Sequence, residues 1–396
     1  MELLTNPIRS YAWGSRTELA RLQGRAVPSP TPEAELWMGA HPVAPSTVER
    51  PGGSVSLADL ISAAPRETLG EAVVATFGAR LPYLLKVLAA ESPLSLQAHP
   101  DAERARRVYH AQRAAGGPAT YADPFHKPEL LVALTPFEAL CGFRDPRVSA
   151  ELLAGLGVPA LAPLVAALRE GPAGLRTAAE ALLTWPAADR APLVDAVVGA
   201  ATAAARDDPA GAEGGFATEY ALAGRLAAYY PGDVGVVVAL LLNHVVLAPG
   251  EAVWMPPGNL HSYLHGTGVE IMAASDNVVR GGLTPKPVDV PELLQVVRFE
   301  PLDKPVVPPT RLGAGVVTWT LPVIDFGLFQ VEADGGEVAV PVRGPCTVFC
   351  RSGALTVDDG RAAVRLSAGA AAFGGAGAGP VRFRGAGTAF LATTNL

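Results

Sequence analysis

The chain has 396 residues, a formal net charge of −7, and 17% charged against 49% hydrophobic residues. A chain of this length is too long for a single hydrophobic core and favours two or three domains. Its negative net charge argues against a general nucleic-acid binder. Three cysteines without a CxxC pair argue against a disulfide framework and a cysteine-type zinc site. The N-terminus lacks a signal-peptide pattern and the run Val234–Leu242 is too short to span a bilayer, so we expect a cytoplasmic protein without a membrane partner.

Residues 1–148 show short strand patterns interrupted by Pro and Gly. The apolar stretches Leu81–Ala89, Leu94–His99 and Glu129–Leu134 have the length of strands. Between the last two, Asp101–Ala115 has the pattern of a helix. We interpret 1–148 as the first part of a β domain.

Residues 149–232 are rich in Ala and Leu and predict a helical insertion between β segments. The predicted helices are Ser149–Leu156, Pro163–Glu170, Gly174–Leu183, Ala191–Ala205 and Phe216–Tyr230.

Strand patterns return in residues 233–305, which we interpret as the second part of the first β domain. The predicted strands are Val234–Leu242, Val245–Leu247, Ala252–Met255 and Gly268–Ala274. Pro301–Pro309 is the best candidate for a linker, and 306–396 then forms a second β domain. The predicted fold class is therefore mainly β with a helical insertion.

A weak internal repeat suggests that the two β domains are related. Leu247, Gly250, Ala252, Trp254 and Gly258 recur at the same spacing as Leu366, Gly369, Ala371, Phe373 and Gly377. Each set describes a strand, a tight turn, a strand and a second turn, although the Gly-rich second copy also suits a flexible loop.

The segment from Gly250 to His261 reads G-x5-P-x-G-x2-H and resembles the second cupin motif. Two turns bracket one strand, and the next strand begins with a His aimed into the barrel, where alternate residues point inward. His261 is therefore a predicted metal ligand. In the repeat it corresponds to Pro380, so we expect the second barrel to hold no metal.

The segment Ser95-Leu96-Gln97-Ala98-His99 alternates as a strand, with its polar residues on one face. Such a face needs partners in a largely apolar protein, and a metal supplies them for Gln97 and His99. The alternative is an exposed strand face.

The segment His126-Lys127-Pro128-Glu129 places Lys127 and Glu129 on one face of a strand. Glu129 would complete a set of nitrogen and oxygen ligands that leaves a position open for water or substrate. Glu103 lies at the usual cupin spacing after His99, but a helical Asp101–Ala115 would turn it towards solvent, so Glu129 is preferred.

Three further residues stand out by their charge. Lys86 and Glu270 each interrupt an apolar strand. Arg280 follows in a shaped loop and can bind an anion in bidentate fashion.

Taken together, these motifs resemble the type I mannose-6-phosphate isomerases. The matching segments are YAWGS at 11–15, AELWMGAHP at 34–42, LPYLLKVL at 81–88, SLQAHPD at 95–101, HKPEL at 126–130, PPGNLHSYLHG at 256–266 and SDNVVRGGLTPK at 275–286. The resemblance covers residues 1 to about 300; the remainder matches only in general cupin character.

The resemblance implies two cupin-type jelly-roll barrels plus an α-helical domain, with one zinc ion per chain. It implies that the zinc ligands are Gln97, His99, Glu129 and His261, and that Arg280 has a catalytic role. It also places Lys86, Ser95 and Lys127 near the active site, where we expect them to bind phosphate or sugar. The implied reaction interconverts mannose 6-phosphate and fructose 6-phosphate through a cis-enediol, in which zinc stabilises charge on the enediolate.

The proton-transferring group stays open. Glu270, His126, Asp276 and a zinc-bound water are all candidates, with Lys127 also among the predicted catalytic residues. Whether Arg280 holds the phosphate or lies beside the reacting carbons is open too.

Three other functions compete with this hypothesis. A cupin iron oxygenase usually has three His, or two His and a carboxylate, which Gln97 disfavours. A non-catalytic sugar-phosphate binder would not need the complete ligand set. An isomerase for another aldose phosphate or for free mannose remains an alternative. We expect a monomer.

Overall fold

The computed structural model describes residues 1–116, 119–207, 215–377 and 379–396. In these residues, two large antiparallel sheets account for most of the strands. The N-terminal sheet consists of Ile8–Arg9, Glu35–Met38, Tyr83–Ala90, Leu96–Ala98, Glu129–Ala133, Phe137–Phe143, Leu242–Leu247, Ala252–Met255, His261–Ala273, Val279–Gly282 and Val306–Val307. The C-terminal sheet consists of Glu2–Leu4, Thr310–Gly313, Val316–Thr318, Gly327–Asp334, Val338–Val340, Cys346–Asp358, Ala363–Ser367, Ala371–Gly374 and Val381–Thr393.

A small two-stranded sheet, Thr47–Arg50 with Gly53–Ser56, and several helices complete the architecture. The α-helices are Glu18–Leu22, Leu57–Ala63, Pro65–Leu69, Glu71–Phe77, Ala102–Ala115, Pro146–Gly155, Ala162–Arg169, Pro172–Leu183, Arg190–Asp207, Ala217–Tyr229, Gly235–Ala239 and Val290–Val296, with 3-10 turns at Pro159–Leu161 and Ala187–Asp189. No helix in the described ranges is both long and apolar enough to cross a membrane.

Helices occupy most of the segment that was predicted to be helical, and the first of them starts slightly earlier than expected. Asp145 caps the helix Pro146–Gly155 by accepting hydrogen bonds from the backbone N–H groups of Arg147 and Val148. Pro146 occupies the first turn, where its missing N–H costs nothing. The Leu and Ala residues of these helices form one buried cluster that also includes Leu96 and Leu140 of the N-terminal sheet.

The prediction of a strand over Val234–Leu242 is wrong. Gly235–Ala239 is a short helix, and the strand begins only at Leu242. Val236, Val237 and Val238 are all completely buried among the helices. Burial on every side removes the alternation that distinguishes strand from helix, so tertiary packing overrides the β propensity of valine.

The predicted linker Pro301–Pro309 also contains sheet structure. Val306–Val307 pairs with Ala252 and Val253 and so extends the N-terminal sheet. The connection to the C-terminal sheet is thus shorter than expected.

The internal repeat describes matching structure in the two sheets. The strands Leu242–Leu247, Ala252–Met255 and His261–Ala273 follow one another as do Ala363–Ser367, Ala371–Gly374 and Val381–Thr393. The turns match as well, because Gly250 and Gly369 have φ of 93° and 82°, and Gly258 and Gly377 have φ of 88° and 86°. A left-handed φ at these positions favours glycine.

The two sheets pack face to face through a shared apolar core. Leu85, Val87, Leu130 and Ile271 of the N-terminal sheet belong to one buried cluster with aromatic residues such as Phe349 of the C-terminal sheet. Because successive side chains of a strand point to opposite faces, the residues between them point to the inside of the N-terminal sheet. That inner face carries the candidate site.

The strand His261–Ala273 changes partners along its length. His261 lies opposite both Gln97 and Cys141, whereas Glu270 lies opposite Lys86 and Leu131. The change occurs around a register shift between Tyr263 and His265 and at Gly266, whose φ is 119°. One strand therefore presents His261 and Glu270 to the same interior.

Candidate metal centre and active-site cavity

Strand alternation explains how charged groups reach the interior. On Tyr83–Ala90, Leu85 and Val87 face the other sheet and Lys86 faces inward; on Glu129–Ala133, Leu130 faces out and Glu129 inward. Lys86 and Glu270 are register partners on adjacent strands. The sequence pattern thus places three buried charges on one inner face.

His99, Glu129 and His261 form a group whose ligand atoms all lie within 4.8 Å of one another. Glu129 Oε1 is 3.4 Å from His99 Nε2, and Glu129 Oε2 is 3.2 Å from His261 Nε2. Both Nε2 atoms and Glu129 Oε2 are buried without a hydrogen-bond partner in the described residues. Since buried polar atoms without partners are costly, this convergence fits a bound cation.

Backbone carbonyls fix the orientation of both imidazoles. His99 Nδ1 is 2.7 Å from the carbonyl oxygen of Asn277, and His261 Nδ1 is 3.0 Å from that of Asn259. A carbonyl oxygen can only accept, so each Nδ1 carries a proton, and in the neutral form of the ring Nε2 then presents its lone pair. This is the usual outer-sphere arrangement of histidine ligands.

The protonation states also suit metal binding. Burial lowers the pKa of His99 to about 4, with a further contribution from the Lys127 ammonium. Burial alone would raise the pKa of Glu129, but Lys127, at 2.9 Å, and the neighbouring imidazoles hold it well below its usual range. A neutral imidazole and an ionised carboxylate are the forms that bind metals.

Gln97, the fourth predicted ligand, lies on the strand Leu96–Ala98 directly opposite His261 and Arg280. Gln97 and Glu129 both line a cavity of about 610 Å³, a usual size for a small-molecule site. The His-Glu-His cluster therefore opens onto this cavity at Glu129. The other lining residues that bear on function are Glu35, Trp37, Lys86, Ser95, Lys127, Tyr230, Tyr263, Glu270, Asp276, Arg280, Leu283, Thr284 and Lys286.

Lys86 lies between two buried carboxylates at one side of the cavity. Its Nζ donates to Glu270 Oε2 at 2.9 Å and to Glu35 Oε1 at 3.3 Å. Burial would lower the pKa of Lys86, but Glu270, Glu35 and Glu129 outweigh it and raise the pKa above its usual value. Burial raises the pKa of Glu270, Lys86 opposes the rise, and Glu129 and Glu35 add to it.

His126 and Asp276, two predicted catalytic residues, have partners outside the metal cluster. His126 Nε2 lies 3.1 Å from Asp325 Oδ2, just before the strand Gly327–Asp334, and His126 is not part of the cavity lining. Asp276 lines the cavity, and its carboxylate lies 3.4 Å from His41 Nε2, a contact that lowers its pKa. Glu103, the rejected ligand candidate, is exposed and faces Arg107.

Some residues of the site were not identified from the sequence. Glu35 could have been noticed in the sequence, because it is a charged residue in the apolar segment AELWM. In the structure its carboxylate also accepts a hydrogen bond from Trp37 Nε1 at 2.9 Å. Asn277 holds the loop before the strand Glu129–Ala133 through hydrogen bonds to Ala122 and Asp123, in addition to its contact with His99. That role depends on contacts between residues far apart in the sequence, and no local sequence pattern indicates it.

The fold and the site together define a β-sheet metalloprotein with a buried His-Glu-His centre at a polar cavity. Residues 1–146 match the model of the family "Phosphomannose isomerase type I, catalytic domain". The chain is 36% identical over 397 residues to mannose-6-phosphate isomerase of Escherichia coli K12, covering 98% of each chain. It is 33% identical over 347 residues to the enzyme of that name from Bos taurus, covering 83% of this chain and 81% of the relative.

Comparison with solved structures points to the same family. A point mutant of phosphomannose isomerase from Salmonella typhimurium matches with a TM-score of 0.90 at 34% identity, and a mannose 6-phosphate isomerase bound with zinc and yttrium matches with 0.88 at 35%. Both alignments cover 100% of each chain. The protein belongs to the type I phosphomannose isomerase family.

Proposed function

We infer that this protein is a zinc-dependent isomerase that interconverts mannose 6-phosphate and fructose 6-phosphate. The observation that carries the inference is the convergence of His99, Glu129 and His261, with unpartnered ligand atoms, at a cavity that also holds Lys86 and Glu270. Family membership supplies the reaction class.

His99, Glu129, His261 and Gln97 are the residues that would hold the zinc ion. The donor set fits, since imidazole nitrogens and carboxylate and amide oxygens are suitable ligands and the cavity leaves room for substrate. When bound, zinc polarises the sugar carbonyl and stabilises negative charge on its oxygens. Gln97 is assigned from its position opposite His261 and from the family motif.

Arg280 and Lys286 are the best candidates for the substrate phosphate. Lys86 and Lys127 are each bound to buried carboxylates, and their charges are already compensated. Arg280 and Lys286 line the same cavity and have no carboxylate within 4.0 Å in the described part of the chain. Ser95 lines the cavity too and can add a hydroxyl donor. Binding the phosphate positions the reacting carbons at the far end of the sugar.

Glu270 is our choice for the residue that moves the proton between C2 and C1. It is buried, lines the cavity and has a raised pKa, as a carboxylate base needs to work near neutral pH. Lys86 keeps its proton and holds the Glu270 carboxylate in place. Asp276 has a lowered pKa, which weakens it as a base, and His126 faces Asp325 instead of the cavity.

We also propose the finer assignments of fold and setting. The two sheets form two cupin-type jelly-roll barrels, the first divided into 1–148 and 233–305 by a helical domain over 149–232. The second barrel, over 306–396, holds no metal; its sheet also takes in Glu2–Leu4, whereas Val306–Val307 pairs with the N-terminal sheet. In the described residues the His-Glu-His group is the one cluster of this kind. The protein acts in the cytoplasm as a monomer on a small sugar phosphate, without nucleic acid or membrane partners.

The function is tested by following fructose 6-phosphate formation from mannose 6-phosphate by the zinc-loaded protein. We expect turnover with this substrate, and kcat/KM at least roughly 100-fold lower for free mannose, which lacks the phosphate contacts. Glucose 6-phosphate and other aldose phosphates test the alternative of a related isomerase. Zinc-loaded protein that turns over another aldose phosphate better would contradict the substrate assignment.

A Glu35→Gln substitution is expected to shift the acid side of the pH–rate profile to lower pH. Glu35 shares the Lys86 ammonium with Glu270 and raises the pKa of Glu270. Without that charge Glu270 loses its proton at lower pH, and because the ionised form is the base, activity then persists further into acid. The measurement is kcat/KM against pH for both proteins; an unchanged or upward-shifted acid limb would argue against Glu270 as the titrating group.

A further inference from the structure

The loop that carries Thr284 and Lys286 follows a strained residue. Leu283 has φ of 52° and is the one non-glycine residue with positive φ in the described chain. It is completely buried and lines the active-site cavity. Such strain persists only where surrounding contacts over-determine it, and it is often found at functional sites.

The contacts that hold this loop come from the residues just after the helix Ala217–Tyr229. Asp233 Oδ2 accepts the backbone N–H of Thr284 at 3.1 Å, and Asp233 Oδ1 accepts that of Gly235 at 2.7 Å. The two backbones also approach closely, since a Cβ on Gly235 would lie 2.7 Å from the Leu283 nitrogen. The hydroxyl of Thr284 in turn accepts the backbone N–H of Lys286 at 3.1 Å. A chain of contacts therefore runs from Asp233 to Lys286.

A second contact joins the same segment to the other side of the cavity. Tyr230 lines the cavity, and its hydroxyl donates to the carbonyl oxygen of Pro93 at 2.7 Å. Pro93 lies two residues before Ser95. Residues 230–235 thus contact both loops that border the proposed phosphate position.

We propose that Asp233 is a positioning residue for the sugar-phosphate substrate, through which the turn after the helix Ala217–Tyr229 fixes the loop 283–286 at the cavity. Asp233 does not itself line the cavity; it acts by setting the backbone of Thr284 and so the place of Lys286. Arg280 is held separately, because the strand Val279–Gly282 pairs with Leu96–Ala98. This proposal rests on the assignment of the phosphate to Arg280 and Lys286.

The test compares Asp233→Ala, Asp233→Asn and a matched control, Asp195→Asn, an exposed aspartate on the helix Arg190–Asp207. Asparagine keeps one acceptor oxygen, and alanine removes both. For Asp233→Ala we expect KM for mannose 6-phosphate to rise about tenfold while kcat falls less than about threefold, with a smaller change in the same direction for Asp233→Asn. The control stays at wild-type values.

Two further measurements separate this proposal from the enzymatic function. The affinity of the zinc-loaded protein for inorganic phosphate, measured by calorimetry, should fall by a similar factor, and amide hydrogen exchange of a peptide covering 279–286 should speed up. Neither needs turnover, so both remain informative if the wild-type protein does not isomerise mannose 6-phosphate.

Unchanged KM, phosphate affinity and exchange in folded Asp233→Asn and Asp233→Ala would overturn the proposal. So would a loss of zinc content and melting temperature that accompanies an equal fall in kcat, because that pattern indicates a general structural role. If Asp233→Ala does not fold, the same measurements on Asp233→Asn decide.

Discussion

Glu129→Gln is expected to lower zinc content to below about one-tenth of an equivalent and kcat/KM by at least about a thousandfold. Glutamine keeps the shape of the side chain but removes the charge that faces both imidazoles and Lys127. The Lys127 ammonium would then lie beside the two imidazoles without the Glu129 carboxylate that compensates it, and so would repel the cation.

The matched control is Glu103→Gln, which changes an exposed glutamate on the helix Ala102–Ala115. Zinc content by mass spectrometry, activity and circular dichroism are measured on both variants. Wild-type zinc content and activity in Glu129→Gln would remove Glu129 from the metal site, and the same losses in the control would show that the effect is not specific.

Glu270→Gln is expected to reduce kcat by roughly a hundredfold to ten-thousandfold while the protein keeps its zinc. The amide cannot take up a proton from C2, although it can still accept a hydrogen bond from Lys86. Because the ionised carboxylate is the active form, wild-type activity should rise with pH through the raised pKa of Glu270. That rise should be absent from the residual activity of the variant.

Glu300→Gln, at an exposed glutamate after the helix Val290–Val296, is the control for this substitution. If Glu270→Gln retains a wild-type kcat and pH profile, another group moves the proton. If it loses its zinc as well as its activity, the residue supports the metal site and the assignment as base is contradicted.

The convergence of His99, Glu129 and His261 was predictable from sequence because each residue lies in a short pattern with its own structural meaning. Alternation in SLQAH puts Gln97 and His99 on one face, and the capped helix after Asp101 turns Glu103 to solvent, as the structure confirms for Glu103. The same alternation places His126 on the face opposite Lys127 and Glu129, in agreement with its contact with Asp325.

What the sequence could not predict depends on contacts between distant segments. Lys86 lies 51 residues from Glu35, and Asp233 lies 51 residues from Thr284. Neither pair follows from local periodicity, because the side chains meet only once the strands and helices have packed. The prediction of a strand in place of the helix Gly235–Ala239 was wrong for the same reason, because its valines are buried on all sides by distant segments.

The most direct test of the whole account is a zinc titration of metal-free protein with mannose 6-phosphate isomerase activity as the readout. We expect no activity in the metal-free protein and a linear rise in activity that stops at about one zinc ion per chain, as for a single site. Full activity without metal, or zinc bound at the site without any turnover of mannose 6-phosphate, would contradict it.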